Sequence, residues 1–415
     1  MFEVFEVTLQ GIGYSVFNLS FVFGVWLIYV INKKLNTLDF YRTVSKKPYV
    51  YLMSDIILQG LLVGGVVSLV MVGIGIPLYF NEIFLMVIPL SLVLSVFRIR
   101  FICISYSMAI LGLFTLVFSG QEVLGMVLPD VETHVPSVLI LVGMIHVIEG
   151  LLVGITGGNR AVPIISKKDG QVVMGHIIQK LWVLPFSIIV LQLGTVGTGG
   201  IQMPDWWPMM EYTGYGEAIF FSLLPFLGFS GYSTIVYGET PKSRARFSGS
   251  LTAAYGLLLI LIGRISLDNW LIQFLGVLLM AFLHEGIYLL EKSREKGKEP
   301  IYSIPAKGVR IMQVLDGGYA QQLGIKKGDI IEKVGDEDVV GIGQFLRMIK
   351  SKKDHVSIRV VDLHGKSHQH IVVDSRHLEH LGIRVMPEKP MFFYPYDQFS
   401  YIGMMDFIKR VEDSE

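Results

Sequence analysis

The stretch WLIQFLGVLLMAFLHEGIYLLEKSREKGKEP, residues 270–300, joins two parts of the chain that prefer different solvents. Residues 270–290 are almost all apolar, and about 20 such residues suffice to carry a helix across the hydrocarbon core of a bilayer. Residues 291–300 then mix acidic and basic side chains and end in a proline. The sequence therefore predicts a membrane-embedded part before this point, a charged linker over 291–304 and a water-soluble part after it.

Upstream of the linker, residues 1–290 contain nearly all the long apolar runs of the chain. We predict an α-helical polytopic membrane bundle of about nine spans here, although 83–97 and 251–267 are short for a full crossing. The candidate spans are 14–31, 56–79, 83–97, 101–118, 137–155, 177–196, 218–237, 251–267 and 270–290.

The distribution of lysine and arginine predicts the orientation of these spans, because basic loops remain on the cytoplasmic side. With nine spans and the N-terminus outside, the loops assigned to the outside contain only one basic residue, Arg264. The inside loops contain Lys33, Lys34, Arg42, Lys46, Lys47, Arg98, Arg100, Arg160, Lys167, Lys168, Lys242, Arg244 and Arg246. The part after residue 290 is accordingly expected in the cytoplasm.

The overall composition excludes several classes of protein. The chain is 52% hydrophobic and 17% charged, whereas soluble domains are usually about 25% charged. Its 35 basic and 35 acidic residues cancel, which argues against a nucleic-acid partner. The single cysteine, Cys103, lies in an apolar run and excludes a disulfide framework and a thiolate metal cluster. Gly60 and Gly64 form one small-xxx-small pair, which permits a close helix–helix approach or reflects ordinary bundle packing.

Ionisable residues at membrane depth are costly and raise a functional hypothesis by default. His146 and Glu149 lie three apart in span 137–155, and His284 and Glu285 lie together in span 270–290. The four residues form either a metal or proton-handling site or an interhelical hydrogen-bonded cluster. We favour the structural interpretation and expect no metal, no cofactor and no catalytic residue.

An intramembrane metalloprotease is the alternative to be weighed against that interpretation. Such enzymes need His-Glu-x-x-His on one helix, where the two histidines converge on the metal. Here His284-Glu285 is followed by Gly286, Ile287 and Tyr288, so the second ligand is missing. We therefore expect no enzymatic activity and keep a regulator or degenerate form of such a protease as the alternative.

The part after the linker shows the short strands and glycine turns of a small α+β domain. We predict strands over 308–315, 330–334, 355–362 and 367–373 and helices over 319–323 and 344–351. The segment VLDGGYAQQLGIKKGDII, residues 314–331, resembles a PDZ domain of the bacterial type. The resemblance covers 305–387 and implies a domain that binds a peptide as an added strand.

The same resemblance suggests where a peptide would bind. His380-Leu381-Gly382-Ile383-Arg384-Val385 looks like the carboxylate loop and groove strand of such domains, although it follows the last predicted strand instead of preceding the first. A plain edge strand without a ligand is the alternative. The predicted peptide-binding residues are Leu381, Gly382, Ile383 and Val385 on the strand side and Phe345 and Ile349 on the helix. Residues 388–415 form an aromatic tail expected to pack on the domain or on a partner.

Taken together, the chain resembles the MinJ-type division-site proteins of Firmicutes. The resemblance rests on GGNRAVPI (157–164), QKLW (179–182), TPK (240–242) and FLHE (282–285), followed by the PDZ-like segment. It implies a non-enzymatic adaptor in the plasma membrane at poles and septa, with a cytoplasmic PDZ domain. The implied partners are a DivIVA-like scaffold, a MinD-like ATPase, other division proteins and the lipid bilayer, with self-association left open.

Overall fold

The computed structural model describes residues 2–38, 49–79, 82–123, 125–127, 134–193, 201–208, 219–315, 317–351, 356–372 and 381–388. The first part of the fold is built on eight α-helices within these residues. They are α1 (Phe2–Val16), α2 (Leu19–Leu38), α3 (Tyr49–Ile74), α4 (Glu82–Phe97), α5 (Ile104–Phe118), α6 (Val135–Leu152), α7 (Pro241–Ile265) and α8 (Trp270–Lys296). The predicted aromatic tail lies outside the described residues, apart from Glu388.

Polar side chains fix the starts of the two helices nearest the linker. The Thr240 hydroxyl accepts a hydrogen bond from the amide of Ser243, and Pro241 follows as the first residue of α7. The Asn269 side chain accepts from the amide of Ile272 at the start of α8. These caps satisfy backbone donors that a helix leaves unpaired in its first turn.

Fewer helices than predicted are long and apolar enough to cross a bilayer. Within the described residues, four pass by length and composition: Met53–Ile74, Val135–Gly157, Pro241–Ile265 and Trp270–Lys296. The pair α1 and α2, bent by 59°, would make a fifth, while α4 and α5 contribute shorter apolar helices. The predicted number of about nine helical spans is therefore wrong for the part of the chain that the structure describes.

The largest correction concerns residues 177–196 and 218–237, for which the sequence predicts helical spans. Within the described residues, 177–193 and 219–236 belong instead to two long strands, β5 (Gln171–Leu193) and β6 (Ile219–Val236). These strands pair antiparallel from His176↔Val236 to Leu193↔Ile219. Three shorter strands also pair with β5, namely β1 (Pro77–Tyr79), β4 (Val162–Lys168) and β7 (Tyr302–Ser303), while β2 (Glu122–Val123) and β3 (Met126–Val127) form a separate ribbon. The first part is thus a helical bundle built around a sheet.

Helix α3 covers the edge of β5 that faces away from β6. Between the β4 and β1 pairings, no strand of the described residues occupies this edge. A Cβ on Gly60 would lie 2.1 Å from the Val183 carbonyl oxygen, and one on Gly64 would lie 2.2 Å from that of Pro185. The small-xxx-small pair therefore approaches a strand, not another helix.

Polar side chains of α3 complete this contact. The Ser187 amide donates to the Ser68 hydroxyl over 2.8 Å, and the Trp182 indole donates to the Gln59 side chain over 3.1 Å. Backbone groups in an apolar environment need partners because water is absent there. The glycines bring α3 close enough for its polar side chains to supply them.

The C-terminal sheet domain consists of β8 (Val309–Val314), β9 (Ile330–Val334), β10 (Glu337–Asp338), β11 (Val356–Val361), β12 (Ser367–Val372) and β13 (Ile383–Val385), with helices α9 (Tyr319–Gln322) and α10 (Ile342–Ser351). The strand order is β12-β11-β9-β8-β13, and β10 pairs with β9. Apolar residues of the sheet and of α10 form one core, which includes Ile311, Ile331, Phe345 and Ile358.

This domain contacts the start of β5 directly. Strand β7, which follows the charged run, pairs with Val173 and Met174 of β5. Tyr302, Met312 and Met386 join Met174 in a small buried apolar cluster. Lys327 lies in contact with the buried His176, and burial together with this positive charge keeps the pKa of His176 well below its usual value. The predicted linker therefore includes a structured connection.

A buried ion network joins β6, α7 and α8 next to that connection. Arg244, 1% exposed, pairs with Glu239 over 2.8 Å and with Glu295, and its guanidinium also donates to the Glu291 carbonyl oxygen. Glu239, 6% exposed, receives further contacts from Arg294 at 3.2 Å and Lys298 at 2.9 Å. The Glu295 carboxylate in turn accepts from the amides of residues 237 and 238.

Glu239 makes stability depend on pH in a defined window. Burial alone would raise its pKa, but hydrogen bonds from Arg294 and Lys298 and the charge of Arg244 lower it to about 2. A depressed carboxyl pKa stabilises the fold fully above the unfolded value of about 4.5, and this contribution is lost as the pH falls toward 2. The midpoint of thermal unfolding of the purified protein should fall between pH 6 and pH 3. In Glu239→Gln the slope of this midpoint against pH should be smaller. An unchanged slope in Glu239→Gln would contradict the assignment.

Candidate functional site

A polar cluster lies where α5, α6 and α8 meet. Cys103 immediately precedes α5, His146 lies on α6 and His284 lies on α8. The ligand atoms of these three side chains all lie within 4.8 Å of one another. The two imidazole rings are 5.4 Å apart between centroids, so α6 and α8 bring the two histidines into contact.

Neighbouring groups fix the tautomer of His146. Its Nδ1 lies 2.7 Å from the Val142 carbonyl oxygen, which only accepts hydrogen bonds, so Nδ1 carries the proton. The lone pair on Nε2 then faces the Cys103 Sγ at 3.3 Å and the Ser105 hydroxyl at 3.2 Å. His146 is 1% exposed, so its ring is enclosed by the surrounding helices.

His284 is oriented through a tyrosine. The Tyr106 hydroxyl donates a hydrogen bond to the Glu285 carboxylate over 3.0 Å. Its oxygen therefore accepts a hydrogen bond from Nδ1 of His284, also at 3.0 Å. In a neutral His284 the proton is then on Nδ1, and Nε2 retains a lone pair. This is the arrangement by which outer groups orient metal-binding histidines.

Glu285 is engaged by a cation. Arg100 contacts the Glu285 carboxylate at 2.6 Å, and the Arg100 guanidinium lies 3.9 Å from the centre of the Tyr288 ring. Tyr288 occupies the position at which a His-Glu-x-x-His motif has its second histidine. Glu285 is therefore an ion-pair partner in this arrangement, and Glu149 interacts electrostatically with both histidines without joining the group of three ligand atoms.

Sequence reasoning finds both histidines and both glutamates but misses Cys103, Arg100 and Tyr106. It places Cys103 in an apolar run and counts Arg100 as a loop cation. One signal in the sequence is that the sole cysteine lies near the start of the predicted span 101–118, while two other predicted spans each contain a histidine. Spacing along the chain does not reveal this group, because the three side chains come from three separate helical segments.

The C-terminal sheet domain brings the predicted groove residues together. Leu381 (2% exposed), Phe345 and Ile349 lie in its core, and Ile383 and Val385 pack against that core. Strand β13 pairs with β8 through Ile383↔Val314, and no strand of the described residues pairs with its other edge. The Glu388 carboxylate accepts from the amide of Ile342, which ties the segment after β13 to the start of α10.

The backbone before β13 directs two amides away from the sheet. The carbonyl oxygen of Leu381 accepts from the amide of Ala320 at 2.8 Å, and that of Gly382 accepts from Leu315 at 2.7 Å. In a trans peptide the N–H points opposite to the C=O, so the amides of Gly382 and Ile383 face outward. Gly382 has φ +69° and packs against Gly318, which leaves no room for a side chain. Successive outward amides suit a carboxylate ligand.

No protein-family model and no solved structure matches this chain. Among curated proteins, the cell division topological determinant MinJ of Bacillus subtilis (strain 168) is 21% identical over 314 residues. These residues cover 74% of this chain and 76% of that protein. The chain is thus similar, along about three quarters of its length, to a protein named for its role in the topology of cell division.

Proposed function

We propose that this chain is a non-enzymatic membrane adaptor for division-site placement. The match to MinJ over 314 residues is the observation that carries the proposal. In this proposal the helices form a multi-pass anchor in the plasma membrane, and the C-terminal sheet domain, of the PDZ type, lies in the cytoplasm. It links a DivIVA-like scaffold at poles and septa to a MinD-like ATPase and other division proteins.

The geometry of β13 supports a peptide-binding role for the domain. An unpaired strand edge preceded by two outward amides is the arrangement to which an extended peptide adds as a further strand. Because Phe345 and Ile349 are almost fully buried, they would shape the helix side of the groove from beneath. Backbone hydrogen bonds to β13 would therefore provide most of the affinity.

Ile383→Pro tests this role, because proline removes one outward amide at an edge position where no sheet hydrogen bond is lost. A fluorescent fusion of the unaltered chain should concentrate at poles and septa in its native bacterium. Ile383→Pro should distribute evenly over the membrane and give misplaced septa, whereas Ile383→Val, which keeps the amide, should behave as the unaltered chain. Equal protein amounts and equal unfolding midpoints in detergent should accompany these results.

Two outcomes would overturn the proposal. An even membrane distribution of the unaltered chain together with normal division in its absence would remove the division role. Septal enrichment of Ile383→Pro equal to that of Ile383→Val would leave the membrane anchor, and not β13, as the determinant of position.

A regulator or degenerate form of an intramembrane metalloprotease is the second candidate. The observation that favours it is the contact of His284-Glu285 on α8 with His146 on α6 inside the bundle. Against it stand Tyr288 at the position of the second histidine and the pairing of Glu285 with Arg100. Because both Glu285 carboxylate oxygens are engaged, one by Arg100 and the other by Tyr106, a regulatory role is the form of this candidate that the geometry supports.

A further inference from the structure

We propose that Cys103, His146 and His284 bind a divalent transition-metal ion, with Zn²⁺ as the best fit. One thiolate and two imidazoles are ligands that zinc accepts in proteins, and three protein ligands leave a fourth position for another molecule. This inference stands apart from the adaptor function, because it rests on the helical bundle and not on the C-terminal domain.

The distances suit such an ion. In a tetrahedral site with Zn–N near 2.0 Å and Zn–S near 2.3 Å, neighbouring ligand atoms lie about 3.3–3.6 Å apart. The Cys103 Sγ and His146 Nε2 are already 3.3 Å apart, and the most distant ligand atoms of the group lie within 4.8 Å. Closing the group around an ion therefore needs only small side-chain movements.

The surrounding groups hold both imidazoles in the tautomer that a metal requires. The Val142 carbonyl oxygen fixes the proton of His146 on Nδ1, and Tyr106 does the same for His284. Nε2 of each neutral ring thus keeps its lone pair, and one ring nitrogen of each histidine lies within 4.8 Å of the other ligand atoms of the group. Orientation of this kind by outer groups typically changes metal affinity by about 10–100-fold.

The charges also balance. A thiolate and a divalent ion together carry one positive charge, and the carboxylate of Glu149 acts electrostatically on His146, Cys103 and His284. Glu285 is neutralised separately by Arg100. If Glu149 is ionised when the metal is bound, its carboxylate offsets the remaining positive charge of the site, as charges at this depth require.

Metal content of the full-length protein tests the proposal. Protein purified in detergent, stripped with a chelator and given one equivalent of Zn²⁺ should retain about one ion per chain after desalting. Cys103→Ser and His284→Ala should bind Zn²⁺ at least about 100-fold more weakly, and Tyr106→Phe about 10–100-fold more weakly. His364→Ala, which alters an exposed histidine in the β11–β12 turn, should bind as the unaltered chain does.

A second measurement needs no variant. Cys103 is the only cysteine, so a maleimide reports on this thiol alone. Zn²⁺ should slow its alkylation in proportion to occupancy, and Co²⁺ should give a sulfur-to-cobalt charge-transfer band. Zinc retention equal in the unaltered chain and in Cys103→Ser, or an alkylation rate that Zn²⁺ leaves unchanged, would overturn the proposal in favour of a hydrogen-bonded cluster without metal.

Discussion

Gly64→Val is expected to destabilise the protein by about 3 kcal/mol or more, because overpacking of a rigid site costs about 1–3 kcal/mol and occasionally more. The new Cβ would lie 2.2 Å from the Pro185 carbonyl oxygen, a backbone atom of a strand held on its other edge by β6. Here relief requires moving α3 away from β5, which also lengthens the hydrogen bond from Ser187 to Ser68. Thermal unfolding in detergent and the amount of protein in membranes measure the effect.

Gly65→Val is the matched control for this substitution. Gly65 follows Gly64 on the same helix, and a Cβ there would meet nothing within 4 Å. Both substitutions change helix propensity equally, so their difference isolates the contact with β5. If Gly65→Val lowered stability as much as Gly64→Val, the close approach of α3 to the strand edge would not be what stabilises this region.

The hairpin that α3 covers is the part of the fold that sequence reasoning misses. Strand β5 is buried on both faces, with Trp182 and Ile188 among its core residues, so it shows no alternation of polar and apolar side chains. Hydropathy averaged over a window measures apolar content and does not distinguish a strand, in which side chains alternate with period 2, from a helix with period 3.6. A buried strand and a membrane helix then look the same.

Two prolines distinguish the buried strands from membrane helices. Pro185 and Pro225 lie inside the segments expected as helical spans, where proline breaks the hydrogen-bond ladder of a helix. In the hairpin, Pro185 presents its nitrogen and carbonyl oxygen to Gly64, and Pro225 stands opposite Ser187. Strand positions whose N–H would face an unpaired edge accept proline, so these residues fit the sheet better than a helix.

Most elements of the C-terminal sheet domain are predictable to within one or two residues, although the two-residue strand β10 is not among the predicted strands. Strands predicted over 308–315 and 330–334 are found at Val309–Val314 and Ile330–Val334, and the helix predicted over 344–351 begins at Ile342. Turns there depend on glycines with positive φ, at 324, 328, 335 and 365, which local sequence shows directly. Local signals suffice for such a domain, whereas the cluster around Cys103 depends on how distant helices pack.

Arg244→Met is expected to cost about 3–5 kcal/mol, because removing one partner of a buried ion pair leaves the other charge without compensation. Glu239 keeps Arg294 and Lys298 after the substitution, but Glu295 loses the cation that contacts its carboxylate. Because Glu295 also accepts from the amides of residues 237 and 238, the end of β6 should loosen together with the α7–α8 contact.

Glu295→Gln in the Arg244→Met background should recover part of this loss. The glutamine side chain keeps an oxygen to accept from the two amides but removes the unpaired charge, and coupled residues of this kind interact by about 0.5–3 kcal/mol. Lys333→Met serves as the control, since its partner Asp338 is 71% exposed and surface pairs contribute about 1 kcal/mol or less. The unfolding midpoints of the unaltered chain, Arg244→Met, the double variant and Lys333→Met measure these effects. If the double variant were no more stable than Arg244→Met, the cost would come from lost packing of the arginine, and burial of an unpaired Glu295 charge would not be its cause.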